Sequence, residues 1–215
     1  DAGVESSFKL SRTWDDIQST RWHVDGLRHI IEPFSSYQWV PKPNVLPGDL
    51  FQFDTLRTVT LIGGDHLSVT RYSPLDFPAF NSIDSIDAEN ILRFGVRQRL
   101  QTRRNDQPWD LIELTGWTDW RIERQPGEPE FSDLFGMLRL QPSEWFAQEV
   151  DARYDFRNNI LQELNTTLSV FNTDHWRIDV STRYLRDDSN TVGLNQLYQV
   201  GRHWALHTAH RVDLD

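Results

Sequence analysis

Residues 176–184 alternate between apolar and polar side chains, and this pattern sets the fold of the second half of the chain. They read Trp176-Arg177-Ile178-Asp179-Val180-Ser181-Thr182-Arg183-Tyr184. Even positions carry mainly apolar side chains, whereas every odd position is polar or charged. A period of two residues is typical of a β-strand, whose successive side chains point to opposite faces. The stretch therefore predicts a strand with one apolar face and one polar face.

The same alternation extends over the chain from about Ile91 onward. Helical spacing does not compete with it, and turn residues interrupt it at short intervals. The alternating stretches are 92–100, 109–122, 134–141, 145–156, 160–170, 176–184, 192–200 and 204–212. Short connections between strands favour hairpins, so residues 91–213 are predicted to form an antiparallel meander of regular hairpins.

The first half of the chain is less regular. Residues 8–14 and 20–40 look extended, with 15–19 between them, and 56–62 pairs naturally with 67–72 as a hairpin. Prolines and carboxylates mark two long loops, at 41–54 and 73–90. Residues 1–215 are thus predicted to be one all-β segment of about 12 strands.

The composition of the 215 residues excludes several classes of protein. There are 22 Lys and Arg against 32 Asp and Glu, and the net charge of -10 argues against a general nucleic-acid binder. The absence of cysteine excludes disulfides and thiolate zinc sites. The apolar runs are far shorter than the roughly 20 residues of a membrane-spanning helix. Residues 1–5 do not resemble a signal peptide, and we expect the chain to be a piece of a longer protein.

Two architectures fit the alternation: a transmembrane β-barrel and a soluble antiparallel sheet with one face on a core. No amphipathic helix that could cover such a sheet is evident, and the polar face carries both signs of charge, as a barrel lumen does. In a barrel the even face must meet lipid, because each outward arginine would cost roughly 2–4 kcal/mol near the midplane. We therefore expect a meander that forms a transmembrane β-barrel or the partial wall of a larger one.

Aromatic residues fall near both ends of the predicted strands. Those that follow the turns at 104–108, 141–144, 172–174 and 201–203 are Trp109, Trp145, Trp176 and Trp204. Those assigned to the opposite end, near the connections at 123–130, 157–159 and 187–190, are Trp120, Tyr154, Tyr184 and Tyr198. Two aromatic rows with aliphatic residues between them match the girdles of an outer-membrane barrel.

Residues 26–41 carry a motif that resembles a known family. They read Gly26-Leu27-Arg28-His29-Ile30-Ile31-Glu32-Pro33-Phe34-Ser35-Ser36-Tyr37-Gln38-Trp39-Val40-Pro41. This stretch is similar to a strand of the lipopolysaccharide-assembly outer-membrane proteins, the LptD family, and the positions that carry the likeness are Arg28, His29, Glu32, Pro33, Tyr37 and Pro41. A second stretch, with Asp84, Asp87 and Asn90 followed by the 93–100 strand, resembles that family's loop before a strand.

The resemblance implies a function and a set of partners. It implies a barrel of roughly 26 strands that inserts lipopolysaccharide into the outer leaflet of a Gram-negative-type outer membrane, by transport without bond chemistry. The implied partners are lipopolysaccharide, membrane lipid, an outer-membrane lipoprotein plug similar to LptE, and a periplasmic bridge protein that meets a separate N-terminal domain. This chain lacks that domain, so we expect an internal slice of the barrel wall without the seam.

The arginines of the polar face are the candidate contacts for lipopolysaccharide. Guanidinium groups pair bidentately with phosphate and carboxylate, which the resemblance implies as groups of the transported lipid. The candidates are Arg93, Arg97, Arg99, Arg121, Arg139, Arg153 and Arg183. The alternative is that they pair with Glu113, Glu149, Asp151 and Asp179 on neighbouring strands and hold the lumen in shape.

Other chemistry finds little support in the sequence. His203 and His207 would face one side of a strand and His210 the other, so no metal site is expected, and nothing indicates a cofactor. An enzyme could use Asp84, Asp87 and His66 as acid and base, but no diagnostic spacing supports catalysis. The functions left open are lipopolysaccharide insertion, a passive porin-like barrel and a soluble β-sheet binding module.

Overall fold

The computed structural model describes residues 2–20, 23–42, 44–45, 57–60, 66–69, 88–124, 127–172 and 175–214. The strands of this part of the chain are β1 (Ala2–Ser7), β2 (Leu10–Ser19), β3 (Val24–Val40), β4 (Arg57–Thr60), β5 (His66–Val69), β6 (Glu89–Arg104), β7 (Gln107–Arg121), β8 (Leu134–Ser143), β9 (Phe146–Asp155), β10 (Ile160–Asn172), β11 (Trp176–Leu185), β12 (Ser189–Gln199) and β13 (Ala205–Asp213). The same residues contain no helix long and apolar enough to cross a membrane.

Eleven strands form one sheet. Its order is β1-β3-β6-β7-β8-β9-β10-β11-β12-β13, with β2 paired to β3 beside this path, while β4 and β5 form a separate two-stranded sheet. From β6 onward each strand neighbours the next one in sequence, and the ladders from β7 to β13 are antiparallel. The order is a path and not a ring, as expected for a partial wall. The predicted all-β antiparallel meander is therefore confirmed.

The start of the chain differs from the prediction made from the sequence. Residues 15–19, expected as a connection, belong to β2, and residues 24–40 form a single strand, β3. The break between β1 and β2 falls opposite Pro33: Phe8 N donates to Pro33 O at 3.3 Å, and proline has no N–H to return that bond. Pro33 thus lies where one edge strand ends and the next begins.

A bulge in β2 accommodates the unexpected residues. The pairing steps from Trp14 opposite Leu27 to Gln18 opposite Asp25, so residues 15–17 of β2 face Gly26 alone. Gly26 has a φ of 70°, in the left-handed region where a side chain is disfavoured. The glycine that opens the 26–41 motif therefore suits the bulge.

Short turns join the later strands. Asn105 and Asp106 connect β6 to β7 with φ values of 49° and 59°, as a two-residue hairpin turn of the mirror-image type requires. The hairpin predicted from 56–62 and 67–72 appears as β4 paired with β5. Most of the predicted loops at 41–54 and 73–90 lies outside the described residues.

Contacts divide the chain into two units. One comprises Asp1–Val4, Ser36–Leu92 and Arg121–Glu130, and within it Ile122 N donates to Asn90 O at 2.9 Å. The other comprises Glu5–Ser35, Arg93–Trp120 and Phe131–Asp215 and holds most of the meander. Among the described residues, the buried hydrophobic side chains are Ile30, Phe34, Ile91 and Leu185. The described residues therefore bury few apolar side chains.

Candidate functional site

The register of the meander collects the even residues of β7–β12 on one apolar face. Leu138 pairs with Leu114 and Val150, and Val180 pairs with Leu168 and Leu194. The apolar face consists of Ile112, Leu114, Leu134, Leu138, Leu140, Phe146, Val150, Leu164, Leu168, Val170, Ile178, Val180, Val192 and Leu194. Several of these side chains are exposed, among them Val180 at 42%. The described residues therefore leave this apolar face uncovered.

Aromatic residues stand at both ends of the apolar face. Trp176 opens β11, and Tyr184 lies eight residues further along the same strand, about 26 Å at about 3.3 Å per residue. Tyr154 belongs to the Tyr184 end, because it pairs with Leu161 at the start of β10 and Tyr184 pairs with Leu164. Trp120 lies near the end of β7, where it forms a bridge with Phe131.

The placement of Tyr198 in the second row is wrong. Tyr198 pairs directly with Trp176 and therefore lies at the tryptophan end of the sheet. The physical reason is that β12 runs toward the 200–204 connection, so its last residues reach the end where Trp204 stands. Trp145 and Trp204 stand just before β9 and β13 and are 60% and 77% exposed.

Trp109 differs from the other tryptophans of the first row. Its Nε1 donates to Gln141 O at 2.7 Å, and the Arg104 guanidinium lies 4.7 Å from its ring centre. These contacts hold Trp109 at the β6–β7 turn by a hydrogen bond and a cation–π interaction.

The even face also carries polar side chains: Gln148 pairs with Leu140 and Leu168, and others lie near the β13 edge. There Gln196 pairs with Thr208, and Leu194 pairs with His210. His210 and Val180 occupy one transverse row through Leu194, so His210 lies near the middle of the face. The even face thus has a polar strip, Gln196, Thr208 and His210, whose even positions agree with the alternation.

The odd residues form a polar face, on which Arg93 makes the most buried ion pair. Its Nε and Nη2 donate to the two carboxylate oxygens of Asp119 at 2.7 and 3.1 Å. The two side chains are 10% and 9% exposed. The Arg93 guanidinium also lies 5.5 Å from the centre of the Trp117 ring. A bidentate buried pair of this kind fixes β6 against β7.

Arg97 belongs to a second cluster, between β3 and β6. Its Nη1 donates to Glu32 Oε1 at 3.1 Å, Lys9 lies 3.5 Å from the same carboxylate, and its guanidinium covers the buried Phe34 ring at 4.3 Å. His29 Nε2 and Gln98 Oε1 are 3.3 Å apart on the same two strands. The predicted residues Glu32 and Arg97 are therefore in direct contact, and His29 bridges the same pair of strands.

Arg139 and Arg153 form longer ion pairs. Arg139 lies between Glu113 at 3.9 Å and Glu149 at 3.7 Å, which are two of the partners expected from the sequence. Arg153 is 3.7 Å from Asp133. The pairs are weak because the charges are far apart, and water also screens those of Arg139.

Of the remaining candidate arginines, Arg121 is held by a main-chain oxygen: its Nη1 donates to Pro129 O at 3.0 Å. Asp179, which was expected to pair with a candidate arginine, pairs with Arg177 instead. Within the part of the chain that the structure describes, Arg99 and Arg183 form no side-chain hydrogen bond or ion pair.

The other motif residues lie apart from these clusters. Arg28 is exposed on β3, Tyr37 is half-buried, and Pro41 follows the strand in an exposed position. Asn90 lies on β6, with its Oδ1 buried and without a hydrogen bond among the described residues. Asp84 and Asp87 lie outside the described residues.

A network around the β9–β10 turn was missed by the sequence analysis. Asp155 accepts hydrogen bonds from Arg157 N and Nε and from Asn158 Nδ2, at 3.0, 3.0 and 2.8 Å. Arg157 Nη2 also binds Asp133 at 2.7 Å. Asp155 follows Tyr154 and lies outside the two aromatic rows. The hydrogen bonds from Asn158 and Arg157 lower the pKa of Asp155 from 3.8 to about 2. The spacing of Asp155 before Asn158-Asn159 could have predicted this turn.

The polar face also contains a pair of stacked aromatic rings, which the alternation of apolar and polar residues did not predict. Trp117 and Phe135 pair across β7 and β8, with ring centres 5.4 Å apart and planes 11° from parallel. Their odd positions place them with the arginines. Among the described residues no group of three His, Cys, Asp or Glu could hold a metal ion.

A comparison with known protein families finds a match over nearly the whole chain. The model of the family described as LptD: LPS transport system D matches residues 2–211. No curated protein matches the chain.

Proposed function

The chain belongs to the LptD family of lipopolysaccharide transport proteins, and we propose that it forms part of the wall of an outer-membrane β-barrel that inserts lipopolysaccharide into the outer leaflet. Membership of the family gives the chain a role in lipopolysaccharide transport. We further propose that the sheet is part of a barrel, that its apolar face meets lipid, and that transport involves no bond chemistry.

The observation that carries the proposal is the separation of the two faces across the meander. The apolar face around Val180 is uncovered, whereas the opposite, polar face holds ion pairs such as that of Arg93 with Asp119. In water the apolar face would be a large exposed patch, which soluble proteins avoid. In a bilayer the apolar face contacts acyl chains, and the polar face lines the lumen.

The aromatic rows fit the thickness of a membrane. The distance of about 26 Å between Trp176 and Tyr184 along β11 becomes roughly 20 Å of height at the usual strand tilt of about 40°. This height is close to the roughly 25 Å apolar band of outer-membrane barrels.

The lengths of the connections support an orientation. Residues 41–88 join the end of β3 to the start of β6, and 122–133 join β7 to β8, whereas 105–106 and 144–145 are short turns at the other strand ends. Outer-membrane barrels have long extracellular loops and short periplasmic turns. We therefore assign the Trp176 end to the periplasmic side.

The polar face gives the arginines two roles in this proposal. Arg93 and Arg97 hold neighbouring strands together, because their guanidinium groups are already engaged by carboxylates. Arg139 has only long ion pairs and one exposed hydrogen bond, from Nη2 to Gln141 Oε1 at 3.1 Å, so it can exchange them for the phosphates of a passing lipid. Membrane lipid, an LptE-like lipoprotein plug and a periplasmic bridge protein are the partners in this proposal.

The first experiment separates a membrane barrel from a soluble module. The protein is purified from membranes, and its migration on a gel is compared before and after heating in detergent. A barrel requires detergent and migrates differently after heating, whereas a form that stays in solution without detergent contradicts the proposal.

The second experiment separates lipopolysaccharide insertion from a passive porin. Arg139 and its neighbour Leu140, on opposite faces of β8, are each replaced by a photoreactive residue in cells. Arg139 should label lipopolysaccharide, and Leu140, which lies on the apolar face, should label phospholipid. The direct-contact proposal fails if no position on the polar face, Arg97 included, labels lipopolysaccharide.

A further inference from the structure

Buried polar side chains gather at the Tyr184 end of the sheet. Among the described residues, the buried polar or charged ones are Arg93, Gln101, Thr102, Asp119, Ser132, Asp155 and Ser169. Those at the Tyr184 end, where β6 and β8 start and β7 and β9 end, are Arg93, Asp119, Ser132 and Asp155. Because a buried polar group is costly unless it is hydrogen-bonded, we expect these side chains to belong to a network.

Asp119 joins three strands of this network. Its carboxylate binds Arg93 of β6 through both oxygens. Its main chain binds Ser132 twice: Asp119 N donates to Ser132 Oγ at 2.9 Å, and Ser132 N donates to Asp119 O at 2.8 Å. Ser132 lies two residues before β8. The bonds of Asp119 therefore connect β6, β7 and the start of β8.

Arg157 extends the network to the β9–β10 turn. Its Nη1 donates to Phe131 O at 2.6 Å and its Nη2 to Asp133 Oδ1 at 2.7 Å, on the two residues that flank Ser132. Its Nε donates to Asp155 Oδ1 at 3.0 Å, at the end of β9. One guanidinium thus holds the residues before β8 against the next hairpin by charge-assisted hydrogen bonds. We call the rim network the set Arg93, Asp119, Ser132, Asp133, Asp155 and Arg157.

Buried polar side chains toward the Trp176 end connect fewer strands. Gln101 joins β6 to β7, Thr102 joins β6 to β3, and Ser169 joins β10 to β11, each by a side-chain hydrogen bond. The ion pair between Arg103 and Asp25 has side chains that are 57% and 48% exposed, so water screens it. The stretch from β6 to β10 is therefore held more firmly at its Tyr184 end.

This difference bears on how a barrel wall changes shape. Parting two neighbouring strands breaks the main-chain hydrogen bonds of their ladder, which lipid cannot replace. Between β6 and β10 the rim network would break as well, and a buried charge that loses its partner is strongly destabilised.

We propose that the rim network is a brace that keeps β6–β10 one rigid piece during lipopolysaccharide insertion, and that Arg157 is its positioning residue. Arg157 has this role because it alone binds both the residues before β8 and the end of β9 within the rim network. The brace rests on the proposed function in one respect, namely that the wall belongs to a barrel that changes shape during insertion.

Paired spin labels in the whole protein in lipid measure the rigidity of this stretch. Leu134 of β8 and Leu161 of β10 are exposed, and both pair with Tyr154. Their backbones are about 10 Å apart, two strand spacings of roughly 4.8 Å each. The distribution of distances between the labels should be narrow and should stay narrow when lipopolysaccharide is added. Arg157→Ala should broaden it.

Arg186→Ala is the matched control. Arg186 lies in the β11–β12 turn at the same end, and its ion pair with Asp187 is exposed, so its loss should leave the distances unchanged. Entry of a bulky hydrophilic dye into cells is the functional measurement. Arg157→Ala should raise dye entry about tenfold, because a wall that loses a buried charge pair deforms and leaks. Arg186→Ala should leave dye entry as it is in the native protein.

Arg157→Lys separates positioning from folding. Lysine keeps the charge but lacks the planar fork of arginine, so we expect folded protein in native amount with a distance distribution of intermediate width. Native widths and native dye entry in both Arg157 variants overturn the brace. A loss of heat-modifiable protein in which the folded molecules keep the native width also overturns it. Labelling from Arg139 reports separately on transport, so failure of the brace leaves the proposed function standing.

Discussion

At the scale of single residues, Gly95 has the least space around it of the glycines that the structure describes. A Cβ at Gly95 would meet Gly116 O, with Phe34 Cζ at 2.7 Å and Trp117 Cβ at 2.8 Å. Real Cβ contacts are longer, so a side chain would have to push β3 or β7 away. Gly95 therefore permits the close packing on which the Arg93 and Arg97 clusters depend.

We predict that Gly95→Ala lowers the free energy of unfolding by about 1–3 kcal/mol, the usual cost of overpacking. The measurement is the denaturant dependence of the heat-modifiable gel form. Gly136→Ala is the control, because nothing lies within 4 Å of the position of its Cβ. Equal effects of the two substitutions would contradict the close approach at Gly95.

At the scale of secondary-structure elements, the β9–β10 hairpin is held by Asp155. Its carboxylate accepts hydrogen bonds from Arg157 and Asn158, so the ionised form is stabilised in the folded hairpin. The pKa of Asp155 is therefore lower in the folded chain than in the unfolded one. A lowered pKa gives stability that is complete above the unfolded value and is lost as the pH falls through the folded value.

We predict that the folded form loses stability as the pH falls from 3.8 to about 2, the interval between the two pKa values of Asp155. Asp155→Asn should remove this part of the pH dependence, as followed by the temperature at which the heat-modifiable form disappears. Asp187→Asn, at a side chain that is 89% exposed, is the control and should keep the native slope. A native slope in Asp155→Asn would show that the network contributes no such stability.

At the scale of the whole molecule, a membrane protein differs from a soluble one in what the two faces contact: in a barrel the apolar face contacts lipid and the polar face contacts water. Leu168 belongs to the apolar face, in the row of Val180, and Thr167 points to the polar face. A charge in the apolar band of a barrel is expensive, whereas a charge in the lumen meets water.

We predict that Leu168→Arg costs about 2–4 kcal/mol and that Thr167→Arg costs much less. The measurement is the unfolding free energy of the protein refolded into lipid vesicles. If Thr167→Arg is the more damaging substitution, the faces are assigned the wrong way round. If both are tolerated in solution without lipid, the sheet does not span a membrane.

The strands of the second half were predictable because the two faces of a strand differ in composition. From Ile91 onward the period of two residues predicts the strands. The pairing register follows because the even residues of neighbouring strands must lie on the same face. The two aromatic rows follow from the same alternation and the positions of the turns. The positions of the turns also place Tyr198 in the tryptophan row, because it comes just before the 201–203 turn, and the register confirms that its assignment to the other row was wrong.

The fold class, the two faces and the family of this protein follow from sequence alone, because these properties depend on local period and on motifs such as residues 26–41. The folded structure was needed to show which arginines are already paired, that Asn165 lies between Asp151 and Arg183, and that Leu194 pairs with His210. The physical reason is that these contacts join residues of different strands. Their distances depend on register shifts and bulges, such as the one opposite Gly26 and the one between Leu161 and Glu163, that periodicity does not encode.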